Sequence, residues 1–497
     1  MKDREIELKL KLIDPQRYSE ILEDAAFFQR QDAGQPVVTD YETIYYDTTD
    51  CRLMQHGLAY RIRKSGERFT ATVKDSGSSH GGLHIRGEWN KDIADNIPDV
   101  AFFSDLPIGE VLQGIVGTDS LVPVLATVFQ RTAIDWIGDD GSVIELAADI
   151  GQILSGDHQE AICEIELELK SGAVASVLRL GAALAERYPL AIEERSKFLR
   201  GLMLAGIRVP ESPSYPLELK KKNALQPQLQ QIFSFCLHEI MIAQTQYLAT
   251  PDEPEVIHQL RIKLRQFRSL LSFFRPLLGQ EEYDTVQAQL KQLGGQLSYI
   301  RELDVLTADW NQIVQTCPDD LGKAGALTKV LTAEWEKEQA AIYQQASQGT
   351  ATATLLTIWA WIVEGEWAQL LGEDVVLGDY VSLRFQKRLT TVAKALKKTD
   401  ANDYTAIHDL RIQAKKLRYA AHILAPVMQK EHRKALAYAR RLQSQLGKIC
   451  DAQRHIVILR DVSTKYSSRS LLYEGGIMIG FQLCLLKQAA KDLDTFA

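Results

Sequence analysis

Two kinds of hydrophobic periodicity divide the chain. Up to about residue 200, charged and apolar residues alternate with a period of two, as in Glu5 to Leu10, Tyr60 to Arg63 and Cys163 to Leu169. This period places alternate side chains on opposite faces of a strand, so these segments predict a sheet with one charged and one apolar face. Helical patterns around 15–28 and 173–187 interrupt the strands, which predicts an α+β fold with a largely antiparallel sheet.

The second part of the chain has a helical pattern. A segment with three prolines, Val209 to Pro216, interrupts regular structure, and beyond it apolar residues recur at spacings of three and four. His258 to Arg268 recurs as His408 to Arg418 at an offset of 150 residues, and a later block containing Glu302 recurs with Asp451 at an offset of 149. Two blocks in nearly the same register predict a duplicated all-α helical bundle.

The change of pattern also predicts the domain organisation. At 497 residues the chain exceeds what one hydrophobic core usually organises, so at least two domains are expected. We predict a first domain over residues 1–203, a linker over 204–222, and a helical domain over 223–490 with repeats at about 223–350 and 375–490.

Composition narrows the class of protein. Hydrophobic residues make up 45% and charged residues 25%, which is typical of globular proteins, and the net charge of −8 does not favour a nucleic-acid partner. The six cysteines include no CxxC pair, the charged N-terminal segment has no apolar signal-peptide core, and the uncharged runs are too short to span a membrane. We therefore expect a cytoplasmic protein with no membrane partner and no nucleic-acid partner.

Acidic side chains are concentrated on single faces of two predicted strands. Glu5 and Glu7 share one face of the first strand, and Glu164, Glu166 and Glu168 share a face of a late strand. Like charges on one face are unfavourable unless cations neutralise them, although a solvated edge strand is the alternative explanation. Carboxylates with no His or Cys nearby favour Mg²⁺ or Mn²⁺ over zinc.

Basic residues alternate with apolar ones on the remaining strands. A sheet that closes with its charged face inside would enclose a polar tunnel, and such a tunnel suits a chain of phosphates. The sequence has no GxxxxGK(S/T) loop and no GxSxG nucleophile motif, so other phosphate and acyl-transfer chemistries are not indicated. The basic positions are Lys9, Arg61, Arg63, Lys74, Arg86, Arg131 and Lys197.

An ordered series of motifs resembles one superfamily over roughly residues 1–203. The ExExK sequence of Glu5, Glu7 and Lys9 is similar to the signature of the CYTH, or triphosphate tunnel metalloenzyme, superfamily. The further matching segments are Tyr45 to Thr48, Leu58 to Arg63, Lys74, Arg86 to Glu88, Arg131, Asp149 to Gly151, Glu164 to Glu168 and Ser196 to Phe198. The resemblance implies an eight-stranded antiparallel tunnel that acts on triphosphate compounds with Mg²⁺ or Mn²⁺.

The resemblance also implies residue roles. Glu5 and Glu7 would bind metal together with Glu166 and Glu168, which are expected on the opposite wall, and the seven basic residues named above would bind the phosphates. Lys9, Glu166 and Glu168 would carry the catalysis. For Glu88 and Asp149 we expect structural roles as partners that orient arginines, with metal binding as the alternative.

Each helical repeat carries a basic stripe. At 100° per residue, the basic side chains of one segment fall on one face of a helix beside an apolar face. The alternatives are a solvated basic face paired with glutamates and a cationic groove for a polyanion. The repeated HxxRxxx(R/K)xxR pattern resembles the CHAD domain, over roughly residues 220–490, which implies binding of inorganic polyphosphate. The stripes consist of His258, Arg261, Arg265, Arg268, His408, Arg411, Lys415 and Arg418.

Several functions are compatible with these resemblances. A CYTH domain followed by a CHAD domain resembles the bacterial inorganic triphosphatase group most, so we predict a hydrolase of phosphoric anhydride bonds that converts inorganic triphosphate to pyrophosphate and phosphate. Class IV adenylate cyclase and thiamine or nucleoside triphosphatase activity are alternatives, although no motif specifies an adenine pocket. A non-catalytic polyphosphate-binding scaffold is a further alternative, which the acidic strands disfavour.

Overall fold

A computed structural model describes most of the chain in two compact units. One unit comprises Met1–Pro216 and Ala346–Glu364, and the other comprises Leu217–Gln345 and Gly365–Ala497. The described residues are 4–29, 34–209, 215–295, 297–317, 321, 324–365, 375–400, 403–466 and 468–494. Two of the three prolines in the predicted linker, Pro210 and Pro213, lie outside the described residues.

The described part of the first unit forms ten strands, all in antiparallel pairs. They are Arg4–Leu12 (β1), Val37–Asp47 (β2), Leu58–Ser65 (β3), Arg68–Asp75 (β4), Ser78–His80 (β5), Leu83–Ile93 (β6), Val122–Ile137 (β7), Val143–Ser155 (β8), His158–Ser171 (β9) and Leu190–Ile192 (β10). Eight of them close a ring in the order β1-β9-β8-β7-β2-β3-β4-β6, because β6 pairs with β1 as well as with β4. The predicted antiparallel barrel is confirmed.

The ring closure corrects one expectation about the acidic strands. β1 and β9 do not face each other across the barrel, because they are hydrogen-bonded neighbours. In their register Glu7 is paired with Glu168, and Lys9 is paired with Glu166. The alternation of residues predicts which face a side chain occupies but carries no information about strand order, so the opposite-wall expectation was wrong.

Short helices accompany the barrel. They are Tyr18–Leu22 (α1), Arg52–Gln55 (α2), Pro107–Val116 (α3), Val174–Arg187 (α4) and Lys197–Leu204 (α5). The helix predicted around 15–28 is shorter than expected: a 3-10 turn over Pro15–Arg17 leads into α1, which ends at Leu22. The helix predicted at 173–187 matches α4 closely.

A further helix of the first unit comes from between the two helical repeats. Thr350–Glu364 (α11) packs along α4 rather than joining the second unit. Gly181 of α4 makes this packing close, since a Cβ atom there would lie 2.6 Å from the side chain of Leu8 and 3.2 Å from that of Leu356. Glycine at this position lets α4 lie between the barrel wall and α11.

The second unit is helical over its described residues. Its helices are Leu225–Ala249 (α6), Pro254–Phe274 (α7), Gln280–Gly295 (α8), Leu297–Thr316 (α9), Ala326–Ala346 (α10), Leu377–Leu396 (α12), Tyr404–Leu424 (α13), Lys430–Tyr466 (α14) and Arg469–Asp494 (α15). One core joins both repeats, because Leu303, Leu306 and Trp310 of α9 cluster with Ile458 and Leu459 of α14. The helices that carry the two basic stripes, α7 and α13, pack against each other. The predicted all-helical second domain is confirmed.

Among the described residues, no helix is both long enough and apolar enough to cross a membrane.

Candidate active site and basic helical surface

The barrel encloses a cavity of about 1180 Å³ with a highly charged lining. Alternation along each strand turns the charged side chains inward, while leucines such as Leu8, Leu10 and Leu167 are fully buried on the other face. The lining includes the proposed metal and phosphate ligands, whereas Glu164 and Asp149 do not line the cavity. These ligands are Glu5, Glu7, Lys9, Arg61, Arg63, Lys74, Arg86, Arg131, Glu166, Glu168 and Lys197.

Glu166 is the centre of a buried charge cluster. Lys197 lies 2.9 Å from its carboxylate, and Lys9 and Arg131 also form ion pairs with it. Burial by itself raises the pKa of Glu166, but Lys197, Lys9 and Arg131 together hold that pKa well below the usual range. Glu166 is therefore ionised and already neutralised by side chains of the protein.

A second neutralised group lies beside the first. Asp149, Glu164 and Glu166 place oxygens close enough together to hold a metal ion. Lys197 occupies the space between them, with its ammonium 2.7 Å from Asp149 and ion-paired to Glu164 as well. Arg131 also donates two hydrogen bonds of 2.7 Å to Asp149. Because the lysine ammonium stands where a cation would bind, this trio does not fit a metal site.

Glu7 and Glu168 present the opposite situation. They are opposite each other in the register of β1 with β9, and Glu5 lies two residues from Glu7 on the same face. Each has one lysine nearby, since Lys74 lies 2.6 Å from Glu5 and the exposed Lys170 lies 2.9 Å from Glu168. Burial and the nearby Glu166 raise the pKa of Glu7 to about 8, and burial also raises the pKa of Glu168. Lys9 lies 2.9 Å from Glu7 but is shared with Glu166. These three glutamates offer oxygen ligands that fit Mg²⁺ or Mn²⁺.

The arginines of β3 differ in their partners. Arg61 lies 3.6 Å from Glu88, which also lies 3.1 Å from Lys74. Arg63 forms no ion pair within the part of the chain that the structure describes and stacks instead over the ring of Tyr41, 4.4 Å from its centroid. Burial, Arg61 and Arg131 lower the pKa of Arg63 to about 10. An uncompensated guanidinium inside a cavity is suited to an anionic ligand.

His84 is a tunnel-facing residue that the sequence analysis missed. It is 1% exposed, and its Nδ1 atom contacts the guanidinium of Arg86. It stands two residues before Arg86 on β6, so strand alternation puts both side chains on one face. The signal that could have found it is this spacing, because the pattern of charged positions extends back from Glu88 through Arg86 to residue 84.

In the second unit, the two predicted stripes form one surface on α7 and α13. Arg261 lies 3.5 Å from Glu302 of α9, and Arg411 forms an ion pair with Asp451 of α14. The two carboxylates come from the repeated blocks, so each repeat supplies one counter-ion to its own arginine. Charge compensation of these two arginines therefore comes from other helices, which is in line with the alternative of a basic face paired with carboxylates.

The remaining stripe residues are less compensated. Burial, Arg411 and Arg265 lower the pKa of Lys415 to about 7, which shows that cations of both repeats act on this one side chain. Burial and Arg301 lower the pKa of His258. His258 is therefore mostly neutral at physiological pH, whereas Lys415 loses its charge near pH 7.

Further basic residues extend this surface onto α12. Arg388 donates a hydrogen bond to the carbonyl oxygen of Ser272, and Arg384 donates one of 3.2 Å to the carbonyl oxygen of Phe273. Burial, Arg388, Arg268 and Arg275 lower the pKa of Lys416. The sequence analysis missed Arg384 and Arg388 because α12 carries no counterpart of the repeated motif, and it missed Lys416 of α13 because this residue is not one of the motif positions.

Comparisons with known proteins divide the chain in the same way. The family model described as CYTH domain matches residues 3–202, and the model described as CHAD domain matches residues 231–460. A curated protein of Haemophilus influenzae named inorganic triphosphatase is 30% identical over 212 residues. The match covers 40% of this chain and 55% of that protein, so the chain spans about half the length of this relative.

Solved structures show more distant similarity. The CHAD domain from the plant Ricinus communis is 22% identical with a TM-score of 0.47, covering 57% of this chain and 93% of the plant chain. A Hippeastrum protein described as a putative adenylyl cyclase with a dominant triphosphatase activity is 17% identical with a TM-score of 0.31, covering 41% of this chain and 98% of its own.

Proposed function

The chain is a CYTH domain followed by a CHAD domain, and we propose that its tunnel hydrolyses inorganic triphosphate to pyrophosphate and phosphate with Mg²⁺ or Mn²⁺. The name of the Haemophilus relative supports triphosphate as the substrate. The structural support is the set of seven basic residues named above, which five strands and α5 contribute to the tunnel lining.

One observation carries the proposal: the tunnel holds arginines without an ion pair and glutamates whose pKa values are raised. Arg63 and Arg86 form no ion pairs among the described side chains, whereas burial raises the pKa of Glu7 and of Glu168 although each contacts a lysine. A triphosphate would neutralise the arginines, and a divalent cation would neutralise the glutamates. A polyanion alone would leave the glutamates without a cation, and a metal ion alone would leave the arginines without an anion.

The glutamates of β9 would then have different roles. Glu166 is held ionised by Lys9, Arg131 and Lys197, so it would fix the positions of these cations around the phosphates. Glu168 has a raised pKa and a less complete set of partners, so it would help to bind the cation and accept a proton from the attacking water. Lys9, next to both Glu7 and Glu166, would contact the phosphate that is transferred.

The protein residues would supply most of the electrostatic stabilisation. Charge moves onto the leaving pyrophosphate as the bond to the terminal phosphorus breaks, and Arg61, Arg63, Lys74 and Arg86 would stabilise it. The bound cation would supply further positive charge to the phosphate oxygens and help to activate water, with ligands from Glu5, Glu7 and Glu168.

The decisive experiment measures phosphate release from four substrates. Inorganic triphosphate, ATP, thiamine triphosphate and polyphosphate would be compared with Mg²⁺, with Mn²⁺ and with EDTA. The proposal expects the highest kcat/KM for inorganic triphosphate and no turnover in EDTA. A higher kcat/KM for ATP, or formation of cyclic AMP, would favour a nucleotide enzyme, and a complete lack of turnover would favour a binding scaffold.

For the second unit, we propose binding of inorganic polyphosphate on the joint surface of α7, α12 and α13. Support comes from Lys415, whose pKa is lowered by burial, by Arg411 of its own repeat and by Arg265 of the other. It also comes from Lys416, whose pKa is lowered by burial and by the cations Arg388, Arg268 and Arg275. A cationic surface that joins both repeats would allow one phosphate chain to bind residues of both.

Two sets of variants separate binding from folding. Arg265→Gln with Lys416→Gln removes cations that form no ion pair among the described residues, so polyphosphate affinity should fall by about tenfold or more with little change in Tm. Arg261→Gln with Arg411→Gln removes cations that are paired to Glu302 and Asp451, so it should also lower Tm. Unchanged polyphosphate affinity in both sets would make the surface purely structural.

A further inference from the structure

His84 lies on the inner face of β6, where it is paired with a glutamate of β1 as Arg86 is. β1 and β6 are antiparallel, with Glu5 paired to Arg86 and Glu7 paired to His84. Directly paired residues share a face, and Glu5, Glu7 and Arg86 all line the cavity. His84 therefore lies on the inner face, two residues before Arg86, where it is almost fully buried.

The contact with Arg86 determines the protonation state of the ring. A guanidinium only donates hydrogen bonds, so the Nδ1 atom of His84 accepts and the ring proton is on Nε2. Nε2 is buried without a hydrogen-bond partner in the described part of the chain, so the contact with Arg86 alone orients the ring there. Burial, Arg86 and Lys9 also hold the pKa of His84 well below its usual range, and the other charged groups that act on it are Glu166 and Lys74.

A neutral acceptor has a particular effect at this position. The guanidinium of Arg131 is hydrogen-bonded to Asp149, so its charge is already neutralised within the protein. Arg86 is held by an imidazole instead, so it is oriented while its full positive charge stays available. A carboxylate at position 84 would both neutralise Arg86 and add a negative charge opposite Glu7.

We propose that His84 is a positioning residue that orients Arg86 towards the triphosphate without neutralising it. The inference rests on the proposed function of the tunnel, because it assigns Arg86 to phosphate binding. His84 itself does not line the cavity and touches no reacting atom. It acts through Arg86.

Three substitutions at this position test the geometry. Asn places its side-chain oxygen near the position of Nδ1, whereas Gln places its oxygen near the position of Nε2, and Leu has no acceptor. His84→Leu and His84→Gln should each raise KM for inorganic triphosphate by about tenfold with a smaller change in kcat, and His84→Asn should restore KM to within about threefold of the wild type. His158→Asn, an exposed position at the start of β9, is the control for a histidine replacement.

A double variant connects the effect to Arg86. Arg86→Gln should raise KM at least as much as His84→Leu, and adding His84→Leu to Arg86→Gln should cause no further increase, because the positioned group is already gone. Equal KM values for wild type and His84→Leu, equal rescue by Asn and Gln, or additive effects in the double variant would overturn the proposal. If the Leu variant has a lowered Tm, the proposal is tested by the KM values of the Asn and Gln variants instead.

Direct binding distinguishes this proposal from the proposed function. Calorimetric titration with inorganic triphosphate in the presence of Ca²⁺ should give affinities in the order expected from the KM values. Wild type and the Asn variant should bind more tightly than the Gln and Leu variants. If the wild type binds triphosphate with this order but releases no phosphate, the hydrolase proposal fails and the role of His84 stands. If all variants bind equally while the wild type turns over, the role of His84 fails and the hydrolase proposal stands. If the wild type does not bind triphosphate, both fail.

Discussion

Glu7 and Glu168 lie directly opposite each other in the pairing of β1 with β9, while the next inward-facing pair on the same strands is Lys9 with Glu166. A single pair of strands therefore contains one complementary couple and one like-charge couple. The complementary couple stabilises the protein without a ligand. Burial raises the pKa of both Glu7 and Glu168, so their ionised forms are unfavourable and a bound cation would stabilise them. The register therefore places a neutralised pair next to a pair of glutamates suited to a cation.

Glu7→Gln should reveal how much stability the protein loses when Glu7 is ionised. The pKa of Glu7 is raised from 4.5 to about 8, so its contribution to stability is present below about pH 4.5 and is lost as the pH rises through about 8. In EDTA the wild type should lose Tm between these pH values more steeply than the Gln variant. Thermal unfolding of both proteins at several pH values in this range tests the prediction, and identical dependence of Tm on pH in the two proteins would contradict it.

The same variant should lose its response to metal. Mg²⁺ should raise the Tm of the wild type but not of Glu7→Gln, because one carboxylate ligand is missing. Turnover of inorganic triphosphate should fall by about a hundredfold or more. Full activity of the Gln variant would exclude Glu7 as a metal ligand.

Glu166→Gln and Glu168→Gln should separate structural from catalytic effects. Glu166 is buried with three cations around it, so its neutralisation leaves charges unpaired and should lower the free energy of unfolding by about 3 kcal/mol or more. Glu168 pairs with the more exposed Lys170, so the Gln variant should keep its Tm in EDTA and lose turnover. Chemical denaturation and phosphate release measure the two quantities. Equal losses of stability would contradict this division.

Polyphosphate binding by the second unit should weaken as the pH rises from about 6 to about 8. The pKa of Lys415 is about 7 instead of the usual 10.5, so the side chain loses its charge within this range. Between about pH 7 and 10.5, Lys415 carries a proton in the unfolded chain but not in the folded protein. The contribution of this group to the free energy of unfolding without ligand should therefore rise with pH. Affinity measured at constant salt checks the binding part.

Lys415→Arg is the matched variant for this pH dependence. An arginine stays charged throughout the range, so polyphosphate affinity should become nearly independent of pH. His258→Asn should leave the pH dependence as in the wild type, because burial and Arg301 keep His258 neutral there. A pH dependence that disappears with His258→Asn would assign the effect to the histidine.

Leu356→Ala should destabilise the barrel unit even though residue 356 lies in the chain between the helical repeats. Leu356 is fully buried and reaches Gly181 of α4, so its truncation should cost about 2–5 kcal/mol. Glu364→Gln, which removes the ion pair of α11 with the exposed Arg179, should cost at most about 1 kcal/mol. Loss of triphosphatase activity after heating reports on the barrel unit, and equal heat resistance of both variants would contradict the role of α11.

A fragment comprising residues 1–216 should show that the stability of the barrel unit depends on α11. Without α11 the apolar side of α4 is exposed, so the fragment should unfold at a lower temperature than the barrel unit of the full chain. A synthetic peptide of residues 346–364 should raise its Tm. A fragment as stable as the full-length barrel unit would show that α11 is dispensable.

The local chemistry of the tunnel could be predicted from the sequence because it depends on short-range periodicity. The alternation in Glu5 to Leu10 determines that Glu5, Glu7 and Lys9 share a face, and a charged face on many strands favours a closed barrel. The offset of 150 residues between His258 and His408 likewise predicts a duplicated helical unit, since equal sequences form equal helices.

Only the tertiary structure decided which charges meet. Strand order and register place Glu7 beside Glu168, and Lys197 lies among Asp149, Glu164 and Glu166, although tens of residues or more separate these partners in the chain. The sequence determines the face on which each side chain lies, because that depends on backbone geometry over a few residues. Whether a carboxylate is neutralised or left for a cation depends on distances of a few ångströms between remote segments, and those distances are set by how the strands pair and the helices pack.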